Sequence, residues 1–575
     1  MSEKKPEGID GGLTNYGDKQ FARYLRRSFA KSMGYTDASL DKPIVGICYT
    51  ESGFNNCHRD FPQMLEAVKR GVLAAGALPV VFPVISLGEV FLSPTSMKFR
   101  NLMAMDVEEM IRAQPMDSVV LMGGCDKTVP ALLMGAASAG KPAALLVSGP
   151  MMTGRHRGER LGACTDCRRF WARYRGGDVD DTEINQVEGR LAVTSGTCAV
   201  MGTASTMALI AETLGMMLPN TSAIPSVHAD RLRAAEETGA LAAGLAGSAR
   251  TPDKLITREA IENALRVLLA VSGSTNAMIH LAAISGRVGV DIDLRAFNQI
   301  SDETPVLVNL KPVGDGYMED FNTAGGLEAV LRGIADKLHL DTIDVTGQTL
   351  RERLAKPLPD PIDTRYIKPP SEPVNPVGGL IALHGNLAPG GAILKRAAAT
   401  PALLEHEGRA VVFASLEDLA LRIDDPDLDV AADDILVLQN AGPKSPSGMP
   451  EAGYLPIPKK LARQGVKDMV RISDARMSGT AFGTIVLHVT PESAAGGPLA
   501  LVRTGDRIRL SAAAKSIELL VSDQELQARA RHIPAPEADA PRRGYSRLYQ
   551  QSVNTAVEGC DFEFLRSDIP TVGET

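Results

Sequence analysis

"DSVVLMGGCDKTVPALLMGAASAGKPAALLVSGP" (residues 117–150) carries the pattern on which the fold turns. "DSVVLMGG" reads as a strand, "PALLMGAASAG" as a helix closed by Gly140, and "PAALLVSGP" as the next strand. The same alternation stands upstream, where "PIVGICYT" is β-rich, "FPQMLEAVKRGVLAAG" has helical spacing and "LPVVFPV" is extended. Strands alternating with helices predict a mainly parallel, doubly wound sheet. "TASTMALIAETLGMML" and "TREAIENALRVLLAVSG" add two further apolar-faced helices.

The pattern changes after "AKPLPDPIDTRYIKPPSEPVNPVGG", a stretch with seven prolines and few large apolar residues, as expected of a junction. Beyond it come short strand-like runs: "GLIALHG", "RAVVFAS", "DILVLQN", "GTIVLHVT", "LALVRTGDRIRLS" and "SIELLVS". Their close spacing predicts a small β-barrel or sandwich. A chain of 575 residues is too long for one ordinary core, so at least two domains are expected.

Hydrophobic residues make up 44% and charged residues 23%, the composition of a folded soluble protein. A net charge of −8 gives no electrostatic footprint for nucleic acid. No apolar run approaches the roughly 20 residues of a membrane span. The polar start "MSEKKPEGIDGG" lacks the apolar core of a signal peptide, which places the protein in the cytoplasm. Seven cysteines in such a chain are unlikely material for a disulfide framework.

Cys57, Cys125 and Cys198 each fall in a polar loop that feeds a helix. Free amides and the helix dipole stabilise a thiolate there, and such loops gather at the carboxyl edge of an open α/β sheet. Spacings of 68 and 73 residues match no zinc-finger or ferredoxin pattern, so three unrelated loop cysteines remain the alternative. If they converge, three thiolates would hold an iron–sulfur centre with one open position, suited to Lewis-acid chemistry. Cys164 and Cys167 form the one C-x-x-C, which lacks the setting of a redox pair and reads as incidental.

Asp126 offers an oxygen ligand for a hard cation such as Mg²⁺. Glu89, after a strand end, and Glu451, in a Gly/Pro-rich loop, are candidate partners, although each alone reads as a surface carboxylate. "GGCDKT" fails as a phosphate-binding loop because Asp126, not Gly, precedes Lys127. Ser478 lies in a tight turn, "RISDARMSGTAFG", where only a neighbouring metal or base would make it catalytic.

Taken together, "GGCDKTVPALLMGAAS", "SGTCAVMGTASTMALIAETLGM", "GSTNAMIHL", "GNLAPGGAILK" and "VRISDARMSGTAFGTIVLHVTPE" make the sequence resemble, over nearly its whole length, the iron–sulfur dihydroxy-acid and sugar-acid (aldonate) dehydratases. The resemblance implies an N-terminal three-layer α/β/α domain over residues 1–370 and a smaller β-barrel domain over 371–575. It implies a 2Fe–2S cluster on Cys57, Cys125 and Cys198, and Mg²⁺ on Glu89, Asp126, Glu451 and a carbamylated Lys127. Ser478 matches the family's alkoxide base, and members are homodimers or homotetramers. The implied reaction is removal of water from a 2,3-dihydroxy acid, with no nicotinamide or flavin. The segments around Glu89 and Cys198 look more like the sugar-acid branch than dihydroxy-acid dehydratase proper. A non-catalytic iron–sulfur sensor would need neither the cation site nor the base. In "NNCHRD" the sequence departs from relatives, which commonly carry Pro before the cysteine and Asn after it. Arg59 there could pair with a substrate carboxylate or lie on the surface.

Overall fold

A computed structural model describes residues 5–531 and 543–567, so the first four residues of the polar N-terminus lie outside it. The predicted alternation is present. Strands β1 (Ile44–Tyr49), β2 (Leu78–Pro83), β3 (Ser118–Gly123) and β4 (Ala143–Val147) form an all-parallel sheet in the order β2-β1-β3-β4. Helices α1 (Phe61–Ala74), α2 (Met97–Ala113) and α3 (Thr128–Ala139) make the crossovers.

Alternate strand residues serve opposite faces. Val45, Ile47, Val120 and Met122 pack with Phe61 and Met64 of α1 and with Ala235 and Ala242 of α6 (Ala229–Leu245). Ile44, Val119 and Leu121 pack with Met103 and Val107 of α2 and Leu132 of α3. Both faces are therefore covered by helices, which is why the strands read as continuous apolar runs. Further helices α4 (Thr165–Gly176), α5 (Thr203–Thr213), α7 (Arg258–Ala270) and α8 (Asn276–Gly286) complete this half.

The proline-rich stretch is not a free tether. It lies along residues 306–309, where Val306 N donates to Asn375 O at 2.8 Å and Asn309 N to Tyr366 O at 2.8 Å.

The second sheet has eight strands: β5 (Ile381–Leu383), β6 (Gly391–Leu394), β7 (Glu405–Phe413), β8 (Ile435–Leu438), β9 (Arg471–Ser473), β10 (Ile485–Thr490), β11 (Arg507–Ser511) and β12 (Ser516–Leu519). Their order is β12-β11-β7-β8-β9-β10-β6-β5, and a bridge between His384 and Ser516 brings the two edges together. The sheet is thus barrel-like and nearly closed, as expected, with Ile381, Val437, Ile472, Val486 and Ile508 filling its interior. Four central strands run parallel, a feature the strand pattern did not foretell. Among the described residues no helix is long and apolar enough to cross a membrane.

Candidate active site

The first sheet's carboxyl edge collects the predicted cysteines. Past β1, Cys57 sits in the short turn Asn56–His58 ahead of α1. Cys125 follows β3 by two residues and precedes α3, and Gly124 is required there because a Cβ would come within 2.0 Å of Ser148 Oγ. The Cys198 loop runs beside the end of β4, with Thr197 N donating to Gly149 O at 2.9 Å. Cys57 lies within electrostatic reach of Cys125, Asp126 and Cys164, and Cys198 within reach of Cys57 and Asp126.

A fourth sulfur joins them. Cys164 Sγ lies 2.8 Å from Cys198 Sγ, and all of these cysteines are free thiols. The expectation that Cys164 is incidental is thereby corrected: a C-x-x-C pattern is scanned for a partner three residues away, whereas the start of α4 folds onto a loop 34 residues downstream. A neighbouring thiol, and then burial, hold both Cys57 and Cys198 well above the ordinary thiol range. Such a group of sulfurs gives up protons only to a partner bringing positive charge, as a metal does.

His58 pins two of these loops together. Its Nδ1–H donates to Thr50 O at 2.7 Å, so Nε2 accepts from Gly124 N at 2.9 Å and Cys125 N at 3.3 Å. The ring stacks on Phe61 at 4.2 Å, and burial pushes its pKa down to about 4, keeping it neutral. Arg59, by contrast, is 64% exposed and bonded to Asp60, the surface alternative of the two.

The acidic side forms next to the sulfurs. Glu89 (after β2), Asp126 and Glu451 (in a turn between β8 and β9) bring carboxylate oxygens within 4.8 Å of one another. Lys127 Nζ is fully buried, 3.3 Å from Glu89 and 3.7 Å from Asp126, with no hydrogen-bond partner. Arg476, fully buried in the turn between β9 and β10, holds the group from the other side. Its guanidinium donates to Glu451 at 2.7 Å, Glu89 at 2.9 Å, Thr95 Oγ1 at 2.9 Å and Met449 O at 2.9 Å. Asn276, from the "GSTNAMIHL" motif, donates to Glu451 at 3.4 Å and Thr203 Oγ1 at 3.1 Å.

Burial raises the Glu89 carboxyl, but Lys127 and Arg476 outweigh it and hold Glu89 well below the ordinary carboxylate range. Asp126 goes the other way, pushed up to about 7 by burial and by Glu89 and Glu451, against the pull of Lys127 and Arg476. Octahedral Mg²⁺ spaces its oxygen ligands about 3–4 Å apart, so the three carboxylates fit a hard cation with small movements.

Ser478 arrives from the second sheet. Its Oγ lies 2.8 Å from Thr480 Oγ1, and Thr480 O accepts from Thr165 Oγ1 at 2.9 Å, beside Cys164. Gly479 lets this turn press onto the first half, since a Cβ there would meet Ser274 Oγ at 2.5 Å and Thr203 N at 3.0 Å. Every predicted site residue is thus drawn into one region. Arg476 and Asn276 were missed; His58 had left a signal as a departure from the family pattern, and Cys164 one as half of the C-x-x-C read as incidental.

Two family descriptions match the chain: dihydroxy-acid/6-phosphogluconate dehydratase N-terminal over residues 42–353, and the corresponding C-terminal description over residues 365–560. The chain is 46% identical to the 6-deoxy-6-sulfo-D-gluconate dehydratase of Pseudomonas putida, over 92% of this chain and 91% of that protein. It is 45% identical to the L-arabonate dehydratase of Azospirillum brasilense, over 98% of each. Identity to the dihydroxy-acid dehydratase of Acetivibrio thermocellus is 36%, over 95% of this chain and 98% of that one.

Proposed function

We propose, from the premise that the chain belongs to the dihydroxy-acid/6-phosphogluconate dehydratase family, that it dehydrates a sugar acid (an aldonate) to the 2-keto-3-deoxy acid. The reading rests above all on the turn Cys125-Asp126-Lys127, from which one sulfur enters the thiol group and one carboxylate the acidic group. In this reading Cys57, Cys125 and Cys198 hold a 2Fe–2S cluster, and Glu89, Asp126 and Glu451 hold Mg²⁺. Lys127 joins them once carbon dioxide adds to its neutral amine, releasing a proton and turning a buried Nζ that has no hydrogen-bond partner into an oxygen ligand.

When bound, the two groups supply Lewis acidity, the cation at the substrate carboxylate and 2-hydroxyl and the cluster at the departing 3-hydroxyl. The chain's own residues do the rest. Ser478 Oγ takes the C2 proton, and the Thr480 hydroxyl 2.8 Å away steadies the oxygen that does so. Arg476 fixes Glu89 and Glu451 in position from behind. Water leaves, and the enol becomes a 2-keto acid without net oxidation or reduction. The sheet-bearing part falls within residues 1–370 and the barrel part within 371–575.

Greater identity to sugar-acid dehydratases than to the dihydroxy-acid dehydratase supports the aldonate over a branched 2,3-dihydroxy acid. The exposed Tyr24, Phe29 and Met33 near the N-terminus suit burial against a second copy, in a cytoplasmic homodimer or homotetramer. Side-by-side assays of 2-keto acid formation from arabonate, xylonate, gluconate and dihydroxyisovalerate test the assignment. Turnover of one or more aldonates is expected, and activity confined to dihydroxyisovalerate overturns it.

A further inference from the structure

We propose that Cys164 is a fourth, exchangeable thiol ligand of the cluster, occupying the position that Cys57, Cys125 and Cys198 leave open while no substrate is bound. The inference rests on the cluster reading above. Its starting point is a contact between sulfurs, Cys164 Sγ to Cys198 Sγ at 2.8 Å, beside Cys57 and Cys125. The charge of Cys164 also reaches Cys57, so its sulfur lies beside the other three. A 2Fe–2S centre is ordinarily held by four thiolates, and four are gathered here.

The sulfur is held in a built turn. Cys164 is the residue ahead of α4, a helix of 12 residues whose free amides favour a thiolate. Two residues on, Asp166 is fully buried and accepts from Gly162 N at 2.8 Å, Lys311 Nζ at 2.9 Å, Tyr317 OH at 3.0 Å and Arg169 Nε at 3.0 Å. Between them, Thr165 Oγ1 bonds to Thr480 O, in the turn of Ser478. Cys164 is therefore tied, through its neighbour Thr165, to the turn that carries the proposed base.

Exchange balances without redox change. The Cys164 sulfur–iron bond breaks, a bond from iron to the substrate hydroxyl oxygen forms with the hydroxyl keeping its proton, and the departing thiolate takes up one proton from solvent. In the absence of substrate the same sulfur keeps water and oxygen off the iron.

The test uses the full-length chain, anaerobically reconstituted with iron and sulfide, as wild type, Cys164→Ala, Cys164→Ser, Cys167→Ala and Cys57→Ala. Iron and sulfide content, visible circular dichroism and bleaching in air are read without substrate. Cys164→Ala and Cys164→Ser are expected to keep wild-type iron and sulfide, show altered visible bands and bleach about tenfold faster. Cys167→Ala should match wild type, and Cys57→Ala should lose the cluster. Bands and bleaching unchanged in both Cys164 variants overturn the proposal and leave the cluster reading standing. Complete loss of iron from both would make Cys164 a permanent ligand and overturn its exchange. Failure of the wild type to gain iron–sulfur absorbance sinks both readings together.

Discussion

Replacing Arg476 by Met removes the one cation that clamps Glu89 and Glu451 from the barrel side. The guanidinium is fully buried and makes hydrogen bonds of 2.7 to 2.9 Å to two carboxylates, a hydroxyl and a carbonyl. Methionine fills much of the volume but leaves Glu89 and Glu451 facing each other and Asp126 with only Lys127 to balance them. Breaking a buried ion pair from one side costs about 3–5 kcal/mol, which lowers Tm by about 10 °C in a unit of some 200 residues. The loss depends on pH with a definite sign. Arg476 and Lys127 hold Glu89 below the ordinary carboxylate range, so their stabilisation is fully present above that range and fades as pH falls through the folded value. In Arg476→Met the exposed charge repulsion is relieved by protonation at a higher pH than in the wild type. The Tm deficit, read by scanning calorimetry in chelator, should therefore be greatest near pH 8 and shrink toward pH 5. An unchanged Tm, or a deficit constant across that range, would refute the clamp.

Ser478→Ala should lower kcat by about 10²–10⁴-fold with little change in KM or Tm, and normal turnover would remove the base. Gly479→Ala forces a methyl against Ser274 Oγ and Thr203 N, so kcat should fall while the far-ultraviolet circular dichroism stays that of the wild type. Loss of secondary structure there would mean the contact supports the fold rather than the position of Ser478. His58 is held neutral by burial, with its pKa near 4, so from about pH 6.5 down to 4 the unfolded chain takes up a proton that the folded chain refuses. That costs the wild type about 3 kcal/mol over the interval, and His58→Asn should lose stability less steeply across it in urea titrations.

The sheet is legible because its strands and helices are strongly patterned, and the strand ends alone put Cys57, Cys125 and Glu89 at one edge. The strands Gly391–Leu394 and Arg471–Ser473 escaped notice: each spans four residues or fewer, and Gly391 or Arg471 breaks the apolar run. Arg476 was invisible for a different reason. A lone arginine in a serine-rich turn reads as solvated, and only the meeting of that turn with the loop after β2 buries it. Cys164 was misread because its partner is fixed by tertiary packing. The carbamylated Lys127 and the grouping of Asp126 with Glu89 and Glu451 are what the family resemblance implies, since no local pattern distinguishes a ligand carboxylate from a surface one.

The docking of Arg476 has a bearing on how the protein matures. The first half contributes two acids and one base to the acidic group, and the barrel brings one of each, Glu451 and Arg476. Joining the halves therefore leaves the local net charge as it was. The seam can therefore close on the bare polypeptide, with no cation needed to neutralise it. If the site takes the cluster and cation proposed above, their supply would set how much enzyme is active without setting how much is folded.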